Sequence, residues 1–206
     1  MNPKNQLTLA NALTTLAVTV VCTALFSYAA KTLRSSYLLL PARQMVNDWS
    51  ERKPPKWTTR EWVVARDDAI AAYKTMPGSP IAADIVGLLY LERRAFTQND
   101  ELSRQLSGEA DGWFARSIHA RPENPWTIAM SAQAKAQQDL PLGAWVEQWR
   151  QANAMAPYEF GVQATLFQVV NNSAALMPPD VAMWKQRQAG GASKRLRDIF
   201  EQKNKK

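Results

Sequence analysis

The chain has 206 residues, 46% of them hydrophobic and 21% charged, with eight Trp and one cysteine; that is room for one globular domain and a membrane segment, not for two large domains. The lone Cys22 excludes an internal disulfide framework and any multi-cysteine zinc or iron–sulfur site, and a lone histidine, His119, argues against a histidine-based metal centre. Of the net charge of +7, +6 lies between Lys185 and Lys206, where eight basic residues face Asp198 and Glu201; a nearly neutral body with a basic tail is not the broad cationic face of a nucleic-acid-binding protein.

The first element is apolar. No charged residue occurs from Asn5 to Ala30, and about 20 helical residues cross ~30 Å of hydrocarbon, so residues 1–31 read as a transmembrane anchor with residues 7–30 in the bilayer. A cleavable signal peptide is the competing reading, because Ser27-Tyr28-Ala29 offers small residues where a signal peptidase cuts. Against it, the apolar run exceeds the usual ~7–15 residues, and the only basic groups ahead of it are Lys4 and the amino terminus. Lys31, Arg34 and Arg43 after the helix weigh slightly for a cytoplasmic domain, but long domains translocate largely regardless of such charges, so charge leaves the side open.

Residues 32–57 read as a juxtamembrane connector, with Tyr37 and Leu38 to Leu40 near the interface and Pro54-Pro55 as a stop. Trp49 and Trp57 are candidates for the membrane surface. Helices then follow over 58–178. Thr58 has capping-box spacing with Glu61, and Trp62, Ala65, Ala69, Ala72 and Tyr73 form a stripe ending at Met76-Pro77-Gly78. Ser79-Pro80 starts a helix carrying Ile85, Val86, Leu89 and Tyr90. Beyond a polar stretch from Thr97 to Glu101, a third helix presents Leu102, Leu106, Ala110, Trp113, Phe114 and Ser117 and stops before Arg121-Pro122. Asn124-Pro125 caps an Ala-rich helix that breaks near Asp139 to Pro141; its partner carries Leu142, Trp145, Trp149, Ala152 and Met155 and ends at Pro157. Phe160, Val162, Ala164, Phe167 and Val170 carry one more helix to Asn171-Asn172-Ser173. Residues 179–206 read as a basic helical tail: a short helix after Pro178-Pro179-Asp180, a Gly190-Gly191 break, and an amphipathic helix from Ser193. No alternating β pattern persists, so the fold class is all-α.

Two of these helices share a spacing. Ala110, Phe114, Ser117 and Pro122 stand at the same offsets of four, three and five as Trp145, Trp149, Ala152 and Pro157, and the prolines are 35 residues apart. That approaches the ~34-residue tetratricopeptide (TPR) period, in which an aromatic knob and a small residue seat one helix pair on the next and proline ends the unit. Gly87 and Tyr90 supply its Gly-x-x-Tyr element, with a longer gap to Ala110, and Trp126 fits a first-helix position that Met130 and Gln133 do not extend. The expected architecture is therefore a single transmembrane helix followed by a TPR-like helical-repeat domain; an irregular bundle is the alternative.

Catalysis requires a nucleophile with its base, paired carboxylates, or a phosphate cradle, and none stands at recognisable spacing, so no catalytic, metal or cofactor residue is assigned. His119 belongs in the last turn of a helix, and Asp67, Asp68, Glu109 and Asp111 read as solvated surface. The Trp stripe is either core or an exposed platform for a sugar or a partner peptide.

Two strings carry a family resemblance. RPENPW, from Arg121 to Trp126, and APYEFGVQ, from Ala156 to Gln163, resemble the VpsP-like family of bacterial polysaccharide-biosynthesis proteins, whose members show Arg-Pro-x-x-Pro-Tyr/Trp and a later Gly-Pro-Trp-Glu-Pro-x-Val-Gln. Pro157, Glu159, Val162 and Gln163 match the second string, while Ala156, Tyr158 and Phe160 depart from it. The resemblance implies participation in exopolysaccharide or capsule assembly at the inner membrane and favours a periplasmic helical domain. With the anchor, the repeat spacing and the lack of catalytic groups, the expected function is a non-enzymatic, single-pass membrane-tethered adaptor that organises an envelope polysaccharide synthesis or export complex, with integral membrane proteins of that complex as partners. An accessory subunit of another membrane complex, or a polymer-binding module using exposed Trp, is the alternative. Trp126, Tyr158 and Gln163 are the candidate partner-binding residues; nucleic acid and small-molecule ligands are not expected.

Overall fold

The first helix, α1 (Pro3–Leu38), contains a stretch, Thr14–Leu38, long and apolar enough to cross a membrane. Every side chain from Thr14 to Arg34 is exposed, so this is not the buried core helix of a soluble domain. The computed structural model describes residues 3–50, 57–173 and 177–191, with side chains for 14–48, 57–173 and 177–188; the amphipathic helix expected from Ser193 and the side chain of Trp49 lie outside these. The described residues form helices and no strand: α2 (Leu40–Ser50), α3 (Thr59–Thr75), α4 (Pro80–Ala95), α5 (Asp100–Ala120), α6 (Pro125–Ala136), α7 (Gly143–Met155), α8 (Phe160–Asn172) and α9 (Pro179–Gly191) follow α1.

Of the stretch expected to be a connector, residues 32–38 and 40–50 are helical. Pro41 sits in the first turn of α2, where its missing N–H breaks no helical bond, and Arg43 N donates to Leu39 O across the junction at 2.9 Å. This segment packs into the domain. Leu39 and Ala42 are buried, and Ser35 Oγ donates to Ala72 O of α3 at 3.2 Å. The apolar span and the domain are thus joined by packed helix instead of a free tether.

Local signals explain the next boundaries. Thr58 and Glu61 close a reciprocal capping box at the start of α3, with Thr58 N donating to Glu61 Oε2 at 2.6 Å. Gly78, at φ +82°, makes the turn into α4, a backbone conformation that costs other residues strain. Ser79 caps α4 ahead of Pro80. Asn99 caps α5, accepting from Leu102 N at 2.8 Å. Asn124 stands at the start of α6 but spends its amide on Thr127 Oγ1 at 2.6 Å, leaving the helix without a side-chain cap.

Two clusters fill the core. The first joins Leu39, Ala42, Trp62, Leu89, Trp113 and Phe114 from α2 to α5 with Met130 and Ala134 of α6; the second joins α6 to Trp145 and Trp149 of α7, Val162 and Leu166 of α8, and Val181 and Trp184 of α9. Helix α6 belongs to both, and its alanines allow close approach on several sides. The tail expected from residue 179 is not separate at its start: Trp184 packs edge-on against Trp149 with ring centroids 4.8 Å apart, and Arg150 holds Asp180 at 2.8 Å. Helix α9 is described as far as Gly191, the place of the expected break, and the residues beyond it lie outside the described ones.

Phe114 is wholly buried and its ring lies against Gly87 of α4, where a Cβ would stand 2.7 Å from the ring. Gly87→Ala would gain up to ~1 kcal/mol of helix propensity, yet overpacking a closed core costs ~1–3 kcal/mol. A net loss of about 1 kcal/mol is expected, read as a fall in the melting temperature; a rise would show that the Phe114 ring yields freely.

Candidate functional site: a polar crevice at one end of the stack

The C-terminal ends of α4, α6 and α8 meet the first turns of α5 and the α6–α7 loop around a crevice of about 320 Å³. Arg94 comes from the last turn of α4, Arg104 from α5, Gln133 and Gln137 from the end of α6, and Gln168 and Asn172 from α8. Asp139 reaches it because its backbone turns at φ 57°, a left-handed conformation that Asp tolerates.

The two arginines differ in state. Arg104 is engaged, 3.0 Å from Glu101 Oε2 and 3.8 Å from Asp139 Oδ2. Arg94 makes no ion pair among the described residues, and its Nε is buried without a hydrogen-bond partner. The amide oxygen of Gln137 is buried and unpartnered in the same way. Two residues of the crevice lining thus each carry an unsatisfied polar atom that is closed off from solvent, against the rule that buried polar groups find partners.

The opposite end of α4 is locked by a satisfied network. Asp84 accepts from Thr127 Oγ1 at 3.1 Å and from Arg121 Nη2 at 3.2 Å, and Ser117 Oγ donates to Pro80 O at 3.3 Å. Burial raises the Asp84 pKa, outweighing the bonds from Ser117, Thr127 and Arg121 that lower it. This knot joins α4, α5 and α6 and so sets the spacing at the crevice end. Asp111, expected as solvated surface, instead accepts from Ser131 Oγ at 2.6 Å across the α5–α6 seam.

A second hollow, about 440 Å³, lies between α2 and α3, lined by Pro41, Met45, Trp57, Val64 and Ala65 with Asp48 and Arg60. Trp57, a candidate for the membrane surface, is half-buried here, and its Nε1 donates to Glu92 Oε1 at 3.0 Å. Glu92 is 1% exposed and its Oε2 has no partner; burial pushes its carboxyl up to about 7, with the charge of Asp48 adding to the effect.

The residues singled out in the sequence fall into distinct places. Ala110, Phe114, Ser117, Trp145, Trp149 and Ala152 are all buried, while Pro122 and Pro157 stand exposed just past α5 and α7. Gln163 is 6% exposed, its Nε2 2.9 Å from Ala156 O and 3.1 Å from Asn153 Oδ1; it ties α8 to the preceding turn and has no face for a partner. Trp126 is half-buried against both core clusters, and of the three only Tyr158, 96% exposed, is open. No Trp is exposed among the described residues. Arg94, Gln137 and Glu92 carried no linear motif, although Glu92 stands three residues past Leu89, at a helical spacing that marks it for the same buried face.

No protein-family model, curated protein or solved structure matches the chain.

Proposed function

We propose that this protein is a non-enzymatic, membrane-tethered adaptor whose TPR-like stack organises an envelope polysaccharide synthesis or export complex from the inner membrane, with the stack in the periplasm. The observation that carries the adaptor reading is the junction of α1 with α3: the apolar span runs into the domain core through Ser35, Leu39 and Ala42. A domain seated this way holds a set height and orientation above the bilayer, as a scaffold for integral proteins requires and a freely tethered domain does not.

Helix pairing supports the TPR-like reading. Phe114 seats α5 on α4 at Gly87, and Trp149, at the equivalent offset, reaches from α7 to the next helix, its Nε1 donating to Leu166 O at 3.1 Å. The polysaccharide assignment rests on the RPENPW and APYEFGVQ strings. Full-length protein isolated from detergent-solubilised membranes is expected to bring down integral enzymes of polysaccharide synthesis or export. Recovery of none, together with normal polymer in a deletion strain, overturns the proposal.

A further inference from the structure

We infer that the end of the stack opposite the crevice rests on the bilayer that α1 crosses, with Tyr158 and Phe160 among the headgroups and the basic sequence after α9 on anionic phospholipid. The inference goes beyond the adaptor reading and needs only that α1 spans the membrane. Height comes from the helix pairing. Ser35 Oγ donates to Ala72 O, and further along the chain Met45 shares a hollow with Val64 and Ala65, so α1 and α2 run antiparallel to α3. One turn back from Ser35 stands Lys31, and one turn on from Ala72 stands Met76, each displaced about 6 Å toward the same end. Lys31 is the first charged residue after the charge-free run from Asn5 to Ala30, and there hydrocarbon gives way to headgroups. The α3–α4 turn therefore lies at the membrane surface.

The other turns at this end stand beside it. Thr127 of α6 meets Asp84 of α4 at 3.1 Å, and Thr165 Oγ1 meets Met130 Sδ at 3.9 Å, the sixth residue of α8 against the sixth of α6. Helices α4, α6 and α8 thus start at one end, and what they expose there suits an interface. Tyr158 is 96% exposed, and Phe160 and Ile81 are each 51% exposed; aromatic side chains favour the headgroup level of a bilayer. Charge points the same way. The last turn of α9 returns to this end, Gln188 Nε2 donating to Gln163 Oε1 of α8 at 3.4 Å, so the basic sequence from Lys194 to Lys206 is attached here. Lys31, Arg34 and Lys74 are exposed around the span, whereas Glu123 and Glu159 are the acids exposed on the three turns. Asp100, Glu101 and Asp139 are exposed at the far end, away from an anionic surface, which attracts clustered Lys and Arg within a Debye length. Lipid is the occupant because α1 itself holds this face at that height.

The test uses the full chain in nanodiscs that hold no other protein, in a Cys22→Ser background. A bimane fluorophore is attached through Tyr158→Cys, or through Gln98→Cys at the far end as the control. Both positions are exposed, so helicity and melting temperature should match those of the unlabelled chain. Lipid carrying a nitroxide on its headgroup is expected to quench the fluorophore at position 158 and not at 98. Quenching at 158 should grow when about 30 mol% phosphatidylglycerol is added to phosphatidylcholine, because the basic sequence then meets an anionic surface. Lys194→Gln, Arg195→Gln and Arg197→Gln together, or about 0.5 M salt, should return it to the phosphatidylcholine level. The inference is overturned by quenching at 158 no greater than at 98, by quenching indifferent to phosphatidylglycerol, or by a triple variant that keeps the whole gain. A face covered by a protein partner instead of lipid gives the first of these results, and the adaptor reading then stands, since its own test is the recovery of integral enzymes.

Discussion

Trp149→Ala is expected to lower the stability of the helical domain by about 4 kcal/mol, the range for truncating a large buried aromatic. Three losses combine. The ring is 2% exposed in the second core cluster; its Nε1 bond to Leu166 O at 3.1 Å joins α7 to α8; and its edge-on contact at 4.8 Å holds Trp184 of α9. Against a total of about 5–15 kcal/mol for a typical domain, such a loss removes from about a quarter to about four fifths of the stability. It should also be uneven. Trp149 belongs to the cluster of α6 to α9, whereas α3 to α5 are held by Trp62, Leu89 and Phe114. Hydrogen exchange should therefore quicken by more in α7, α8 and α9 than in α3 to α5, as in a stack where each pair leans on its neighbours. Equal acceleration across both groups would show the two clusters to be one cooperative unit. Tyr158→Ala, at a residue 96% exposed, should change stability by less than about 0.5 kcal/mol.

What a sequence conveys about such a protein follows from how local each signal is. The capping box at Thr58 and Glu61, the Ser79-Pro80 start and the spacing of Trp145, Trp149 and Ala152 are decided within one or two helical turns, and the structure has helices where those signals stand. The segment from Leu39 to Ser50 misled because Leu38 to Leu40, next to an apolar span, look like membrane-interface residues, and Pro41 stands in the first turn of α2, where a helix tolerates it. Leu38 and Leu39 instead pack into the first core cluster with residues of α3 and α4, while Leu40 stays exposed. Gln163 looked available because a motif residue is read as functional; its amide is consumed by Ala156 and Asn153 once α8 folds back on the turn. The crevice was out of reach for a different reason. Arg94 and Gln137 are separated by whole helices, and what marks them is one unpartnered buried atom each, which exists only once all other pairings are known.

Glu92 makes the second large effect one of pH. Its carboxyl titrates near 4.5 ordinarily and at about 7 when folded, so the native state holds this proton more tightly than the unfolded chain. The stabilisation is then fully present below pH 4.5 and is lost as pH rises through 7. At about 1.4 kcal/mol per tenfold in proton affinity, ionising this side chain costs the fold about 3 kcal/mol above pH 8. Asp84, also raised by burial, acts in the same direction at lower pH. The wild-type melting temperature should therefore rise as pH falls from 8 to 5.5. Glu92→Gln keeps an oxygen for the Trp57 N–H and carries no charge, so its melting temperature should be nearly level over that interval and exceed the wild type at pH 8. Glu92→Leu separates the two contributions: it too is level, but it leaves Trp57 Nε1 without its 3.0 Å acceptor and should fall below the glutamine variant by about 1 kcal/mol at every pH. Parallel pH profiles for wild type and Glu92→Gln would mean that Glu92 does not change its charge over this interval. The placement gives the titration a structural consequence, since Trp57 and Asp48 both line the hollow between α2 and α3. Ionised Glu92 faces the like charge of Asp48 and protonated Glu92 does not, so the packing of α2, the helix that continues the membrane span, loosens as the side chain loses its proton.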